Sequence, residues 1–152
     1  MEGVPRQLLE ESATLFRISA QLFETETPEA VATIAARGAA QGIDAWFVPD
    51  TPLNRIYSKE IGTQVLSSGK PSIGGYEGHV RAGGMIAYQA IRPDPWPRLA
   101  DMTNLILSGV PARTIPFDRP KHFRVVVSRA RAAALGIELP RSVLKRTDEF
   151  ID

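Results

Sequence analysis

The stretch "ILSGVPARTIPFDRPKHFRVVVSR", Ile106 to Arg129, decides how this chain is organised. A helix-like pattern ends at Ser108-Gly109, and the β-branched run Phe123 to Val127 begins only after Pro111, Pro116 and Pro120. Proline neither continues a helix nor donates to a sheet ladder, so this bridge is expected to be extended and stiff. Such a crossing suits a chain that passes from one structural unit to another.

On the amino-terminal side of the bridge, helix and strand patterns alternate. Leu8, Leu9, Leu15 and Phe16 have helical spacing over Arg6 to Phe16, and Ile18 to Phe23 reads as a short strand. Thr27-Pro28-Glu29 starts a helix with a capping side chain, a proline at the first position and an acid on the positive dipole end. That helix runs to about Gln41 and stops at Gly42, with Gly38 costing on the order of 1 kcal/mol inside it. Ile43 to Val48 is mostly apolar, as in a strand buried on both faces. After a Pro49–Pro52 turn, Leu53, Ile56, Tyr57, Ile61, Val65 and Leu66 share one helical face. Lys70 to Gly74 and Gly83 to Tyr88 read as strands, and Leu99, Met102, Leu105 and Ile106 as a helix ending at Gly109. Beyond the bridge come strand Phe123 to Val127, a helix from Ser128 to Leu135 closed by Gly136, and a last helix from Arg141 to about Asp148 behind Pro140. This alternation predicts an α/β fold with a mainly parallel sheet and flanking helices.

Bulk properties narrow the function. A length of 152 residues suits one domain, and 43% hydrophobic with 23% charged residues is an ordinary globular balance. The net charge of +1 gives no overall field that would recruit nucleic acid or an anionic membrane. With no cysteine, disulfides, thiolate catalysis and cysteine metal sites are excluded. No apolar run is long enough for membrane insertion, and "MEGVPRQLLEESATLF" lacks the basic and apolar regions of a secretory signal. The sequence as it stands therefore reads as cytoplasmic, or as a piece of something longer.

Catalytic constellations are thin. His79 and His122 have no partner at metal-ligand spacing, and each reads as a surface or hydrogen-bonding histidine. "SSGKPS" has Gln64 where a phosphate loop needs glycine and Pro71 where it needs Ser or Thr, so Lys70 reads as a solvated residue before a strand. "GGYEGHVRAGG" lacks dinucleotide-binding spacing, and its glycines read as turn positions. Ser12 and Ser128 sit in no nucleophile elbow. Arg113, Arg119, Lys121, Arg124, Arg129 and Arg131 form a basic cluster without interleaved aromatics, which reads as a solvated face. No enzyme activity, metal or cofactor is expected.

Binding features are better developed. Ligands of open α/β sheets sit beyond the carboxyl ends of the strands. Those ends supply Asp50 and Thr51, Tyr76 and Glu77, and Tyr88 and Gln89. Aromatic rings with a few carboxylate, hydroxyl and amide groups suit a small organic ligand.

From Gly83 onward the chain resembles the C-terminal part of the ABC-transporter substrate-binding protein family, a periplasmic-binding-protein (type 1) architecture. The matching positions are "GGMIAY", Leu107-Ser108-Gly109, Ile115-Pro116, Arg119-Pro120, Phe123 to Val127, Ala134-Leu135-Gly136, Pro140, Leu144 and Asp148. Residues 6 to 82 resemble the family's second lobe more loosely. The departures are Gln89 where the family has Gly after Tyr, the segment Ala90 to Pro97, and Ser128 in place of Asn. The resemblance implies a second-lobe unit over 6–82, a strand and helix of first-lobe type over 83–109, a proline-rich crossing over 110–122, and a return to the second lobe over 123–152, with the first lobe missing.

Taken as function, the resemblance implies the solute-binding component of an ABC importer, truncated or fragmentary, which binds a small organic solute such as an amino acid. It implies a periplasmic location, an ABC permease as partner, and no catalysis. The alternative is a cytoplasmic sensor or interaction module of the same fold. Met85, Ile86, Leu99, Met102 and Ile106 would be left uncovered without a first lobe, so a homodimer is expected with the helix Leu99 to Gly109 at or near its interface.

Overall fold

A computed structural model describes residues 6–91, 95–116 and 120–152. The order of elements is α1 (Arg6–Phe16), α2 (Pro28–Ala32), α3 (Ile34–Ala40), β1 (Trp46–Val48), α4 (Pro52–Ile56), α5 (Ser58–Ser67), β2 (Ser72–Gly74), α6 (Glu77–Arg81), β3 (Ile86–Ile91), α7 (Pro95–Leu107), β4 (His122–Ser128), α8 (Arg129–Ala134), α9 (Arg141–Leu144) and β5 (Glu149–Ile151). The strands form one sheet in sequence order, β1-β2-β3-β4-β5. All neighbours are parallel except β3 and β4, which run antiparallel over six residue pairs from Ile86↔Val127 to Ile91↔His122. The sheet is therefore mostly parallel, with the antiparallel pair at the point where the chain returns from α7.

The core sits on one face of this sheet. Val48, Gly74, Ala87, Val126 and Glu149 lie in register on that face. Val31 and Ile34 of α2 and α3, with Ile61 and Val65 of α5, pack there against Trp46, Val48 and Tyr76. Val80 of α6 packs with Ala87, Val126 and Ile151. The expected cap at Thr27 is present, its hydroxyl accepting the Ala30 N–H; the Thr51 and Ser128 hydroxyls do the same for Asn54 and Arg131. Gly38 has a packing reason. A Cβ there would lie 2.6 Å from the Trp46 indole, so the glycine lets α3 settle on that ring.

Several expectations are corrected. No strand forms over Ile18 to Phe23; Phe23 instead packs edge-on against Trp46 at 5.3 Å between ring centroids. The glycine-rich "GGYEGHVRAGG" contains helix α6, which the glycines concealed. The proline bridge is not extended throughout, because Ala112–Thr114 makes a 3-10 turn whose Thr114 hydroxyl bonds to the Pro111 carbonyl. Arg119 and its neighbours at 117–118 lie outside the described residues. The final helix stops at Leu144 and gives way to β5. Helix α7 holds no buried side chain. No helix among the described residues is long and apolar enough to cross a membrane.

Helix α6 is fastened by His79, which is 1% exposed. Its Nε2 lies 2.9 Å from Ser72 Oγ, which also accepts the Met85 N–H at 3.1 Å. Burial pushes its pKa down to about 4, so the imidazole is neutral in the fold. An unfolded chain binds the proton below about pH 6.5. Stability is therefore greatest above that pH and falls on acidification until about pH 4, where the native ring also charges. The loss from this group is expected to reach about 3 kcal/mol. Urea unfolding at pH 7, 5.5 and 4.5 checks it: His79→Leu should lower stability at pH 7 and show a shallower acid slope than the parent chain.

Candidate functional site

Strands β1, β2 and β3 are parallel, so their carboxyl ends share one edge of the sheet with the amino end of β4. At that edge lies an open cleft of about 670 Å³ lined by Asp50, Pro52, Arg55, Gln89, Ala90, Ile91 and Arg124. Gln89 and Arg124 are direct cross-strand partners on the face that carries α6.

The turn after β1 is shaped by Asn54, a buried polar residue. Its Nδ2 donates to the Pro49 carbonyl at 3.0 Å, and its Oδ1 accepts from the Thr25 hydroxyl at 3.1 Å. Its own carbonyl accepts from the Tyr76 hydroxyl at 2.7 Å. Gly75 permits the neighbouring turn to approach, since a Cβ there would lie 2.7 Å from the Asp50 nitrogen. Asp50 then receives Arg55 in a two-point contact, Nε to Oδ1 at 2.5 Å and Nη2 to Oδ2 at 2.9 Å. The hydrogen bond that Arg55 donates to Asp50 holds the Arg55 pKa above its ordinary value against the opposing effect of burial. The guanidinium also lies 5.2 Å from the Tyr76 ring centroid.

On the far side, Arg124 donates to Glu77 at 3.0 Å and pairs with Glu149. Arg81 completes a four-membered ring of charges, with contacts to Glu77 at 2.5 Å and to Glu149 at 3.1 Å. The Glu77 N–H donates to Gln89 Oε1 at 2.7 Å, which orients the Gln89 amide. These side chains are a quarter to half exposed, so their contribution to stability is modest and their main effect is to fix the direction of Arg124.

The six residues placed at the edge by sequence thus divide. Asp50 and Gln89 line the cleft, and Glu77 stands behind it, holding Arg124 and Gln89. Thr51 is occupied as the cap of α4. Tyr76 is 2% exposed, with its hydroxyl committed to Asn54 and its pKa raised chiefly by burial. Tyr88 points to the opposite face, where its ring stacks on Phe123. Arg55 and Arg124 were missed. The signal for Arg55 was its place one turn into a helix begun by Thr51-Pro52. That for Arg124 was the alternation that puts it on the face of Val126. Of the rest of the basic cluster, Arg131 donates to the carbonyls of Val65, Leu66 and Lys70 at the end of α5, and Arg129 lies over Phe150. No group of three or more potential metal ligands occurs among the described residues.

No protein-family model and no curated protein matches the chain. Solved structures do. A conserved domain protein from Vibrio cholerae superposes with a TM-score of 0.75 at 19% identity, over 96% of this chain and 49% of its own. The ABC domain in complex with L-Trp from Streptococcus pneumoniae gives 0.75 at 21% identity, over 96% and 50%. A ligand-free, open substrate binding protein with adhesive properties from Clostridium difficile gives 0.64 at 18% identity, over 97% and 48%. The chain has a partial substrate-binding-protein fold. It spans about half the length of each of these structures.

Asn54 is expected to be the residue on which the cleft's β1 side depends. Asn54→Ala removes two hydrogen bonds from a buried position and should cost about 2 kcal/mol. Chemical denaturation checks the cost. The NMR signal of the Arg55 Nε–H, held against Asp50 in the parent chain, should broaden or shift toward its free position.

Proposed function

We propose that this chain is a solute-binding component of an ABC importer and that its cleft takes an α-amino acid. The observation that carries this reading is that one cleft presents a carboxylate, Asp50, together with a guanidinium, Arg124, and the Gln89 amide. Asp50 would receive the ligand's ammonium group on the lone pairs that Arg55 leaves free, Arg124 would offer the ligand's carboxylate the guanidinium hydrogens that Glu77 and Glu149 leave free, and Gln89 would meet a remaining polar atom. The ligand's side chain would lie along Pro52, Ala90 and Ile91. Support comes also from the fold, since one of its structural neighbours holds L-Trp and another is a substrate binding protein.

The protein would act by binding and delivery to a permease on the periplasmic side of the membrane, with no bond made or broken. Its cleft is open, and an enclosing surface for the ligand would come from a complementary lobe such as the family resemblance implies. Helix α7, with no buried side chain, is the surface such a lobe would meet.

Calorimetry on this chain with a panel of amino acids checks the reading. Half an enclosure forfeits about half the contacts, so binding is expected only in the millimolar range. It should be lost in Asp50→Asn and in Arg124→Gln while both variants remain folded. Equal binding of a primary amine that lacks the carboxylate, or retained binding in Arg124→Gln, would remove the amino-acid reading.

A further inference from the structure

The sheet buries one face and leaves much of the other open. Phe47, Ile73, Ile86, Val127 and Phe150 form a cross-strand row on the face away from α2 to α6, with Tyr88 and Val125 in the next row. At the β5 end this row is closed, because Val127 is fully buried and the Arg129 guanidinium lies 3.8 Å from the Phe150 ring centroid. Elsewhere it is open: Phe47 is 56% exposed, Ile73 39%, Tyr88 50% and Phe123 43%. The Tyr88 and Phe123 rings stack at 4.8 Å with 10° between their planes. Beside them is a recess of about 420 Å³ bordered by Lys145, Arg146, Thr147 and Asp148. Asp148 is committed to the Val125 N–H at 2.8 Å, whereas Lys145 and Arg146 form no ion pair among the described residues.

The same chain carries a segment of matching character. Leu15 (76% exposed), Phe16 (69%), Ile18 (61%) and Leu22 (56%) fall within eight residues at and after the end of α1. Exposed Glu10 lies on the same helix, an acid to set against the uncommitted Lys145 and Arg146.

We propose that these two surfaces meet between copies: the Leu15–Leu22 segment of one chain covers the open sheet face of a second, and the second returns the contact. Area favours a reciprocal arrangement. The open part runs from β1 to the start of β4, roughly 19 Å across, but β1 and β2 rise only about 10 Å, so it offers on the order of 250 Å². One such contact is too small for a stable pair, whereas two related by a two-fold axis bring each chain to about 500 Å², or about 1,000 Å² in all, which reaches the lower end of specific interfaces. The arrangement places the dimer contact on the sheet and not on α7. It also leaves the cleft free, because Gln89 and Arg124 point to the other face.

Sedimentation and cysteine cross-linking test this, helped by the absence of native cysteine. The purified chain should be a dimer. Ile73→Lys in the sheet face and Phe16→Glu in the segment should each weaken it at least tenfold, with thermal unfolding still cooperative. Oxidation of a chain carrying Phe16→Cys mixed with one carrying Tyr88→Cys should join the two chains. The proposal is overturned by a monomeric parent chain or by a dimer unaffected by both charged variants. A double cysteine variant that closes within one chain would equally overturn it, since α1 would then cover its own sheet.

Discussion

One buried imidazole fastens helix α6 to the strands on either side of it in sequence. The His79 ring is wedged between Gly74 at the end of β2 and Gly84 at the entry to β3; a Cβ at either position would lie within 2.6 Å of it. Its bond to Ser72 ties α6 to the start of β2, and the same hydroxyl receives the Met85 N–H just before β3. Three consecutive elements are thus joined through one polar contact in an apolar setting, where an unpaired partner would cost about 1–3 kcal/mol. Among the described residues the ring's other nitrogen, Nδ1, has no partner, and burial favours the neutral form. The position of α6 then sets Glu77 at its first turn, and Glu77 sets both Gln89 and Arg124. Gln89 and Arg124 are therefore placed by a contact that lies outside the cleft, while Asp50 and Arg55 are placed by the turn that Asn54 holds.

Much of the fold was legible because its signals are local. Thr27-Pro28 starts a helix where its cap says it should, and Gly42, Gly109 and Gly136 stop helices with φ of 65°, 89° and 65°. The apolar runs that became β1, β3 and β4 were visible for the same reason. What escaped was decided by tertiary contact. Helix α6 has only five residues, two of its neighbourhood's glycines are there to admit His79, and no periodicity can show through so short a stretch. Ile18 to Phe23 has strand composition, but Phe23 is taken by Trp46 and the segment forms no ladder. At the site, Asp50 and Gln89 were found from strand-end logic alone. Arg124 was hidden in a run of cations whose members have separate structural tasks.

The strand order has a consequence for the surface. Parallel neighbours joined in sequence by right-handed crossovers place their connecting helices on one side of the sheet. Here α4 with α5 joins β1 to β2, and α6 joins β2 to β3, so the same face receives them all. A doubly wound sheet reverses its order part-way and covers both faces; this sheet does not reverse. The run Ile43 to Val48 is nonetheless written as though both faces were buried, with Phe47 as apolar as Trp46 and Val48. Its sequence and its exposure conflict, and the contact between copies proposed above would remove the conflict by covering Phe47.

The pairing of β3 with β4 keeps the two faces apart in chemistry as well as in space. Side chains alternate along a strand, so Gln89 and Arg124 reach the cleft while Tyr88 and Phe123 reach the open face. A slip of one residue would exchange the sets, burying charge on the apolar side and aromatic rings in the cleft. Six cross-strand pairs resist that slip, and Asp148 adds a lock: its N–H donates to the Val125 carbonyl while its carboxylate accepts the Val125 N–H. Both bonds require Val125 at one position only. The aspartate near the chain's end thus pins the strand that carries Arg124 against β5, while its six pairs with β3 keep Arg124 beside Gln89 on one face and the aromatic rings on the other.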